Sequence, residues 1–261
     1  MTTERLFLFA WTWNPNVLTV AAAGLASYVI AFRITHRVGW FLAAEIVFLL
    51  ALLSPINTLA SGYLFSAHML QHILLLLIVP GLLLMSLPRS FSLSWRSPLF
   101  GHPVVCWGGG VGAMWLWHYP ALCNAAVTST SVYSLQTASL LILGALFWSQ
   151  VIAPREEERL SPPGAVLYLF SACVACSVLG IILTFSPVTV CPIYAMTEVD
   201  PLGISEMIRS NWAMTAERDQ QIGGLLMWVP MCFVYLGAIF VQIGRWFGHL
   251  PETRVATPND L

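Results

Sequence analysis

Residues 67–87 read AHMLQHILLLLIVPGLLLMSL, a run without a single Asp, Glu, Lys or Arg. It has the length of about 20 residues that an α-helix needs to cross the roughly 30 Å hydrocarbon core of a bilayer. The period-two alternation of a membrane-barrel strand is missing, and lipid offers no partner to an open backbone amide, so the stretch reads as a spanning helix.

Working outward from it, six further apolar runs of spanning length cover 17–32, 39–56, 103–119, 133–152, 163–183 and 222–247. The expected fold class is all-α: a polytopic membrane protein, one integral domain over 1–261, built as a bundle of seven transmembrane helices. Composition agrees, with 58% apolar and 9% charged side chains and a mean hydropathy of +0.78. Soluble domains carry about 25% charge. A net charge of −1 excludes a nucleic-acid binder, which needs a clustered positive face. Six cysteines are too few and too scattered for a disulfide scaffold. The amino-terminal MTTERLFLFAWTWNPN is broken by Asn14 and Pro15 and lacks a small-residue cleavage site, so it does not read as a removable signal peptide.

All 11 basic residues are arginines, and their placement orients the bundle. Arg33, Arg37, Arg89, Arg96, Arg155, Arg159, Arg245 and Arg254 follow spans one, three, five and seven, whereas Arg5, Arg209 and Arg218 fall on the other side. The positive-inside rule then puts the amino end outside and the carboxyl end in the cytoplasm. Trp11, Trp13, Tyr63, Trp117 and Tyr119 mark the outer interface, and Trp40, Trp95, Trp148 and Trp246 the inner one. The connection 184–221 is the longest, and its prolines, Gly203 and charges predict an ordered external cap or surface helix. Neither internal repeats nor broken helices are detectable.

Three of the six histidines share the outer side. His68 and His72, in SAHMLQH, stand i, i+4 on one helix face, a spacing that places two imidazoles on one metal. Their alternative role is hydrogen bonding to a neighbouring helix or to headgroups. In AMWLWHYP, Met114 lies one turn from His118. The seventh span opens DQQIGGLLMW, with Asp219 at the helix start, Gly223 and Gly224 permitting close approach, and Met227 about two turns in. Imidazoles with the thioethers of Met69, Met114 and Met227 suit copper, particularly Cu(I), better than hard cations. Each Met is otherwise packing, and Asp219 is otherwise the cap of its own helix. Cys173 and Cys176 (CVAC) sit on one side of the sixth span, either as buried small hydrophobes or as a soft-metal or redox pair. Glu45, inside the second span, is either hydrogen-bonded in the bundle or a proton-handling group. Gly108 to Gly112 reads as a small-residue packing face. Cys123 and Cys191 both fall outside, where an oxidising compartment allows a disulfide.

Taken together, LLSPINTLASGYLFSAHMLQHILLLL, WLWHYPAL, GALFW and DQQIGGLLMW resemble the CtaG-like membrane family of cytochrome c oxidase assembly factors. The resemblance runs through most of the chain. It implies a bacterial inner-membrane protein that helps assemble a haem–copper oxidase, with a part in building its copper centre. It carries His68, His72, His118, Asp219 and Met227 over as functional residues. The implied partners are oxidase subunits in the bilayer and a periplasmic copper chaperone. A further histidine pair, which the family commonly has entering the fifth span, is replaced here by Tyr133 and Thr137. The double proline usual in the third span reads Pro80-Gly81.

The leading expectation is an assembly factor that holds or passes copper at the outer face, and no nucleophile, phosphate loop or nucleotide motif points to an enzyme. The alternatives are a metal-free scaffold, a haem-binding electron carrier using one of His68 or His72 opposite His118, and a transporter titrating Glu45.

Overall fold

The computed structural model describes residues 3–32, 37–92, 101–195, 200 and 202–248. Arg33, His36, Trp95, Arg96, His249 and Arg254 lie outside the described residues, as does the side chain of Arg5. Among the described residues the chain is helical throughout and has no strand.

The helices are α1 Thr3–Phe9, α2 Pro15–Phe32, α3 Val38–Leu53, α4 Pro55–Ala60, α5 Phe65–Ile73, α6 Val79–Ser86, α7 Pro103–Trp117, α8 Pro120–Thr128, α9 Thr130–Ile152, α10 Pro162–Phe185 and α11 Ala216–Gly248. Prolines set many of these boundaries. Pro15, Pro55, Pro103, Pro120 and Pro162 each stand in a first helical turn, where a missing N–H costs nothing.

Five helices are long and apolar enough to cross a membrane: α2, the continuous α5–α6 unit, α9, α10 and α11. Two of the seven expected spans are shorter. The helix read as 39–56 stops at Leu53, because Pro55 ends its hydrogen-bond ladder and Ser54 caps a new short helix. The helix read as 103–119 stops at Trp117, ahead of Tyr119-Pro120. At about 1.5 Å per residue, α3 (16 residues) and α7 (15 residues) fall short of a 30 Å core.

The third span is also not the unbroken helix that its sequence predicts. Leu74–Ile78 form a π segment between α5 and α6. Pro80 explains it: the ring brings no N–H and would collide with the carbonyl of Leu76, four residues back, so the turn widens. The Leu76 carbonyl then packs onto Gly144 of α9, where a β-carbon would collide with it. Gly109 and Gly110 of α7 receive Leu143 and Phe147 of α9 in the same close manner.

The outer faces of the long helices are apolar and open. Ile30, Phe170, Phe233 and Phe240 are all more than half exposed. Soluble monomers rarely show such continuous apolar surface, and lipid is its natural solvent, so this is a membrane protein.

A second, smaller core sits over the end of the bundle where α5, α9 and α11 begin. Leu6 and Ala10 meet Leu59, Tyr63 and Leu64, and Ile204, Met207 and Ile208 close over them. The described residues of the connection after α10 thus pack as a cap over this end. Arg209 fastens it by donating to the carbonyls of Met214 and Tyr194, both at 2.7 Å. A Cys123–Cys191 disulfide, with Cα atoms 6.0 Å apart, ties α8 to the same cap.

Candidate functional site

α5 begins beneath the cap, and Asp219 determines how. This side chain is fully buried on α11. Its Oδ2 accepts from the Phe65 amide at 2.6 Å and its Oδ1 from the Ser66 amide at 3.0 Å. Leu64, the residue before α5, provides no side-chain cap. Asp219 therefore caps a neighbouring helix rather than its own, and both oxygens are spent on backbone donors. Gly223, one turn on, sits where a β-carbon would press into Phe65 and Met69, so α11 lies against the start of α5.

With α5 held there, His68 and His72 are almost completely buried, and their Nε2 atoms approach to 3.1 Å. Two nitrogens on one tetrahedral ion with bonds of about 2.0–2.1 Å stand about 3.3 Å apart. The Nε2 pair matches that separation closely. Nδ1 of His72 is buried with no hydrogen-bond partner among the described residues, leaving part of its bonding capacity unspent. His118, the C-cap of α7, bonds through Nδ1 to the Met114 carbonyl and turns Nε2 to within 2.9 Å of the Met69 sulfur. Its ring centroid lies 5.2 Å from that of His72.

The third, fourth and seventh sequence spans therefore converge at the end of the bundle beneath the cap. His68, His72, His118 and Met69 come together. Met114 and Met227 are fully buried in the same core, Met227 one turn beyond Gly223 on the α11 face that meets α5. Among the described residues, no three His, Cys, Asp or Glu side chains group closely enough to hold one ion. The arrangement is two imidazoles on each other and a third on a thioether, a soft donor set without a carboxylate.

Glu45 and the cysteines stand apart. Glu45, half-buried on α3, faces Gly24 of α2. Cys173 lies with its sulfur 3.4 Å from that of Cys232 on α11, so its partner across the interface is not its sequence neighbour Cys176. Cys176 is buried.

Sequence reasoning missed four contributors. Gln136 of α9 reaches 3.4 Å from His68 Nε2, and the Tyr194 ring of the cap lies 6.0 Å from the His68 ring. Gln71 donates to Asn57 Oδ1 at 3.0 Å and to the Ala51 carbonyl at 2.7 Å, while Tyr133 donates to the same Asn57 oxygen at 2.8 Å. Tyr133 thus belongs to an amide network beside the histidines, and the Thr137 hydroxyl is buried one turn further along α9. The only advance signal for Gln136 and Gln71 was polarity within apolar runs. A cavity of about 160 Å³ reaches His68 between Asn57, Ser61, Ser129, Thr130 and Tyr133, with Ala60, Ala126 and Val127 completing an uncharged wall.

A family model described as cytochrome c oxidase caa3 assembly factor matches residues 23–249. No curated protein and no solved structure matches the chain.

Proposed function

The chain belongs to the cytochrome c oxidase caa3 assembly factor family, and from that premise we propose that it serves the oxidase by holding copper as cargo near the outer membrane face and passing it to an oxidase subunit. The observation that carries this reading is the buried His68–His72 pair with Nε2 atoms 3.1 Å apart. Soft nitrogen and sulfur donors favour Cu(I).

The chain's own residues divide the work. Asp219 fixes where α5 begins and hence the rotation of the His68/His72 face. The Met114 carbonyl orients the His118 ring. Met69 offers a thioether at the meeting point. The uncharged cavity at His68 gives a soft ion a route that does not compete for it with carboxylates.

Seven crossings, with the amino end outside a bacterial inner membrane, are part of the same proposal. The Cys123–Cys191 disulfide supports placing the histidine end in an oxidising, periplasmic compartment. A periplasmic copper chaperone would then meet the cap. The small cavity at His68 disfavours a haem carrier, since cofactor pockets run to about 300–1,000 Å³. The metal-free scaffold remains as a second reading, favoured by the absence of a three-ligand group among the described residues.

The test is copper stoichiometry on detergent-purified, reduced, oxygen-free protein. Near one Cu(I) per chain, lost in His68→Ala/His72→Ala at unchanged thermal midpoint, supports the copper reading. No copper in the native chain supports the scaffold.

A further inference from the structure

At the opposite end of the bundle, where α6 and α9 finish, three cavities lie in a row, each sharing lining residues with the next. The first, about 740 Å³, is lined by Arg37, Arg89, Arg155 and Arg159 with Glu156 and Glu157. The second, about 340 Å³, shares Arg37, Pro154 and Arg159 with it and adds Trp40, Met85 and Ile152. The third, about 300 Å³, shares Met85 and Ile152 and continues as an apolar groove between Gly81, Trp148, Val234 and Gly237.

Chemistry changes along this path in one direction. Four guanidinium groups face two carboxylates in the basin, leaving an excess of positive charge, and one carboxylate, Glu156, already pairs with Arg159 at 3.8 Å. Burial, then the neighbouring charge of Arg245, and further on those of Arg89 and Arg37, hold the Arg159 guanidinium below its ordinary range; Glu156 opposes this. Arg37 also donates to the Met85 and Leu87 carbonyls, Arg155 to that of Ser90, and Arg159 to those of Ala153 and Pro154, which holds the guanidinium groups in place around the basin. The far groove is almost wholly hydrocarbon, yet the indole Nε1 of Trp148, on its wall, is buried without a hydrogen-bond partner among the described residues. Arginines present paired donors to phosphate oxygens, and basic pockets beside spanning helices favour anionic headgroups.

We propose that this row of cavities binds one anionic diacyl phospholipid, its phosphate among Arg37, Arg89, Arg155 and Arg159 and one acyl chain laid along Trp148 and Gly237. The site is independent of the histidines and of the copper reading. Its charge gradient matches a lipid, in which an anionic head and an apolar tail are joined a fixed distance apart; a soluble anion uses only the basin.

Two variants separate the parts. Arg89 and Arg155 are exposed, so Arg89→Gln/Arg155→Gln removes charge with little effect on packing. Gly237 lines the groove, and a β-carbon there meets nothing within 4 Å, so Gly237→Leu fills the groove while improving helix propensity. The full-length protein is delipidated in detergent, and native mass spectrometry follows uptake of dioleoyl phosphatidylglycerol or dioleoyl phosphatidylcholine. We expect one phosphatidylglycerol retained at least tenfold more tightly than phosphatidylcholine. The arginine variant should lose that preference, and Gly237→Leu should lose the lipid while keeping the native thermal midpoint. Equal retention of the two lipids, full retention by Gly237→Leu, or displacement by millimolar inorganic phosphate alone would each overturn the proposal.

Discussion

Asp219 and Phe65 lie 154 positions apart in the chain, yet the carboxylate of one accepts the backbone amide of the other at 2.6 Å, and so the seventh sequence span starts the helix that carries the histidine pair. Replacing Asp219 by Ala strips two buried amides of a charged acceptor. Hydrogen bonds to charged groups are worth about 1.5–3 kcal/mol each, so losing two is expected to cost about 3–6 kcal/mol, with Asp219→Asn losing roughly half. Thermal unfolding of metal-free protein measures it. A structural cap destabilises without copper present; a carboxylate that serves only as a ligand leaves the metal-free midpoint where it was.

The two methionines nearest His118 make different contacts. Met69 offers its sulfur to Nε2, whereas Met114 offers its backbone carbonyl to Nδ1. Leu conserves volume at either position, at a cost of less than about 1.5 kcal/mol. Met69→Leu is expected to weaken Cu(I) binding by about tenfold, the equivalent of 1.4 kcal/mol, while Met114→Leu keeps the carbonyl and binds as the native chain does. A competition titration against a chromogenic Cu(I) chelator reads both. Equal affinities for the native and Met69→Leu chains would remove the thioether from the site.

Much of this was legible in the chain. Apolar runs give helices because lipid leaves the backbone no other partner, and the i, i+4 spacing of His68 and His72 survives folding because it is a property of one helix turn. What crosses between helices was harder to read. Asp219 looked like the cap of α11 because a cap is a local signal, and nothing in DQQIGG names Phe65 and Ser66 as its acceptor's partners. Cys232 was passed over for the same reason: the CVAC spacing draws the eye to Cys176, but Cys173 faces across the α10–α11 interface. The short α3 and α7 show the converse. Pro55 and Pro120 were visible as breakers, and hydropathy averaged over a window hides a break that one missing N–H enforces.

The Cys123–Cys191 disulfide makes thiol accounting a test of topology. Of six cysteines, Cys106, Cys173, Cys176 and Cys232 stand outside the disulfide as thiols. Denatured, non-reduced protein is therefore expected to take up four maleimides, and reduced protein six, by intact mass. Both bonded cysteines lie at the histidine end. After mild reduction of sealed right-side-out vesicles, a charged impermeant maleimide should label Cys123 and Cys191. Labelling of this pair only in inverted vesicles would reverse the orientation proposed here.

Asp200 carries the acid sensitivity of the cap. Slight burial disfavours its charge, but the Ser205 and Ile204 amides and the Tyr63 hydroxyl, at 2.9, 3.0 and 3.0 Å, outweigh that and hold the carboxyl below its ordinary range. Burial, reinforced by donation to Asp200, pushes the Tyr63 hydroxyl up to about 12 despite the Leu202 amide, so Tyr63 stays a donor at any working pH. A carboxyl whose folded value is depressed stabilises fully above its unfolded value, near pH 4, and that contribution is lost as pH falls through the folded value. The cap should therefore loosen on acidification below about pH 4 and not on alkalinisation toward pH 9. Hydrogen exchange at the Ile204 and Ser205 amides measures this. Asp200→Asn keeps the side-chain shape and one acceptor oxygen but cannot titrate, so exchange there should be faster than native at pH 7 and lose its extra acid dependence. If native and Asp200→Asn chains show the same pH profile after correction for intrinsic exchange, the carboxylate does not fasten the cap.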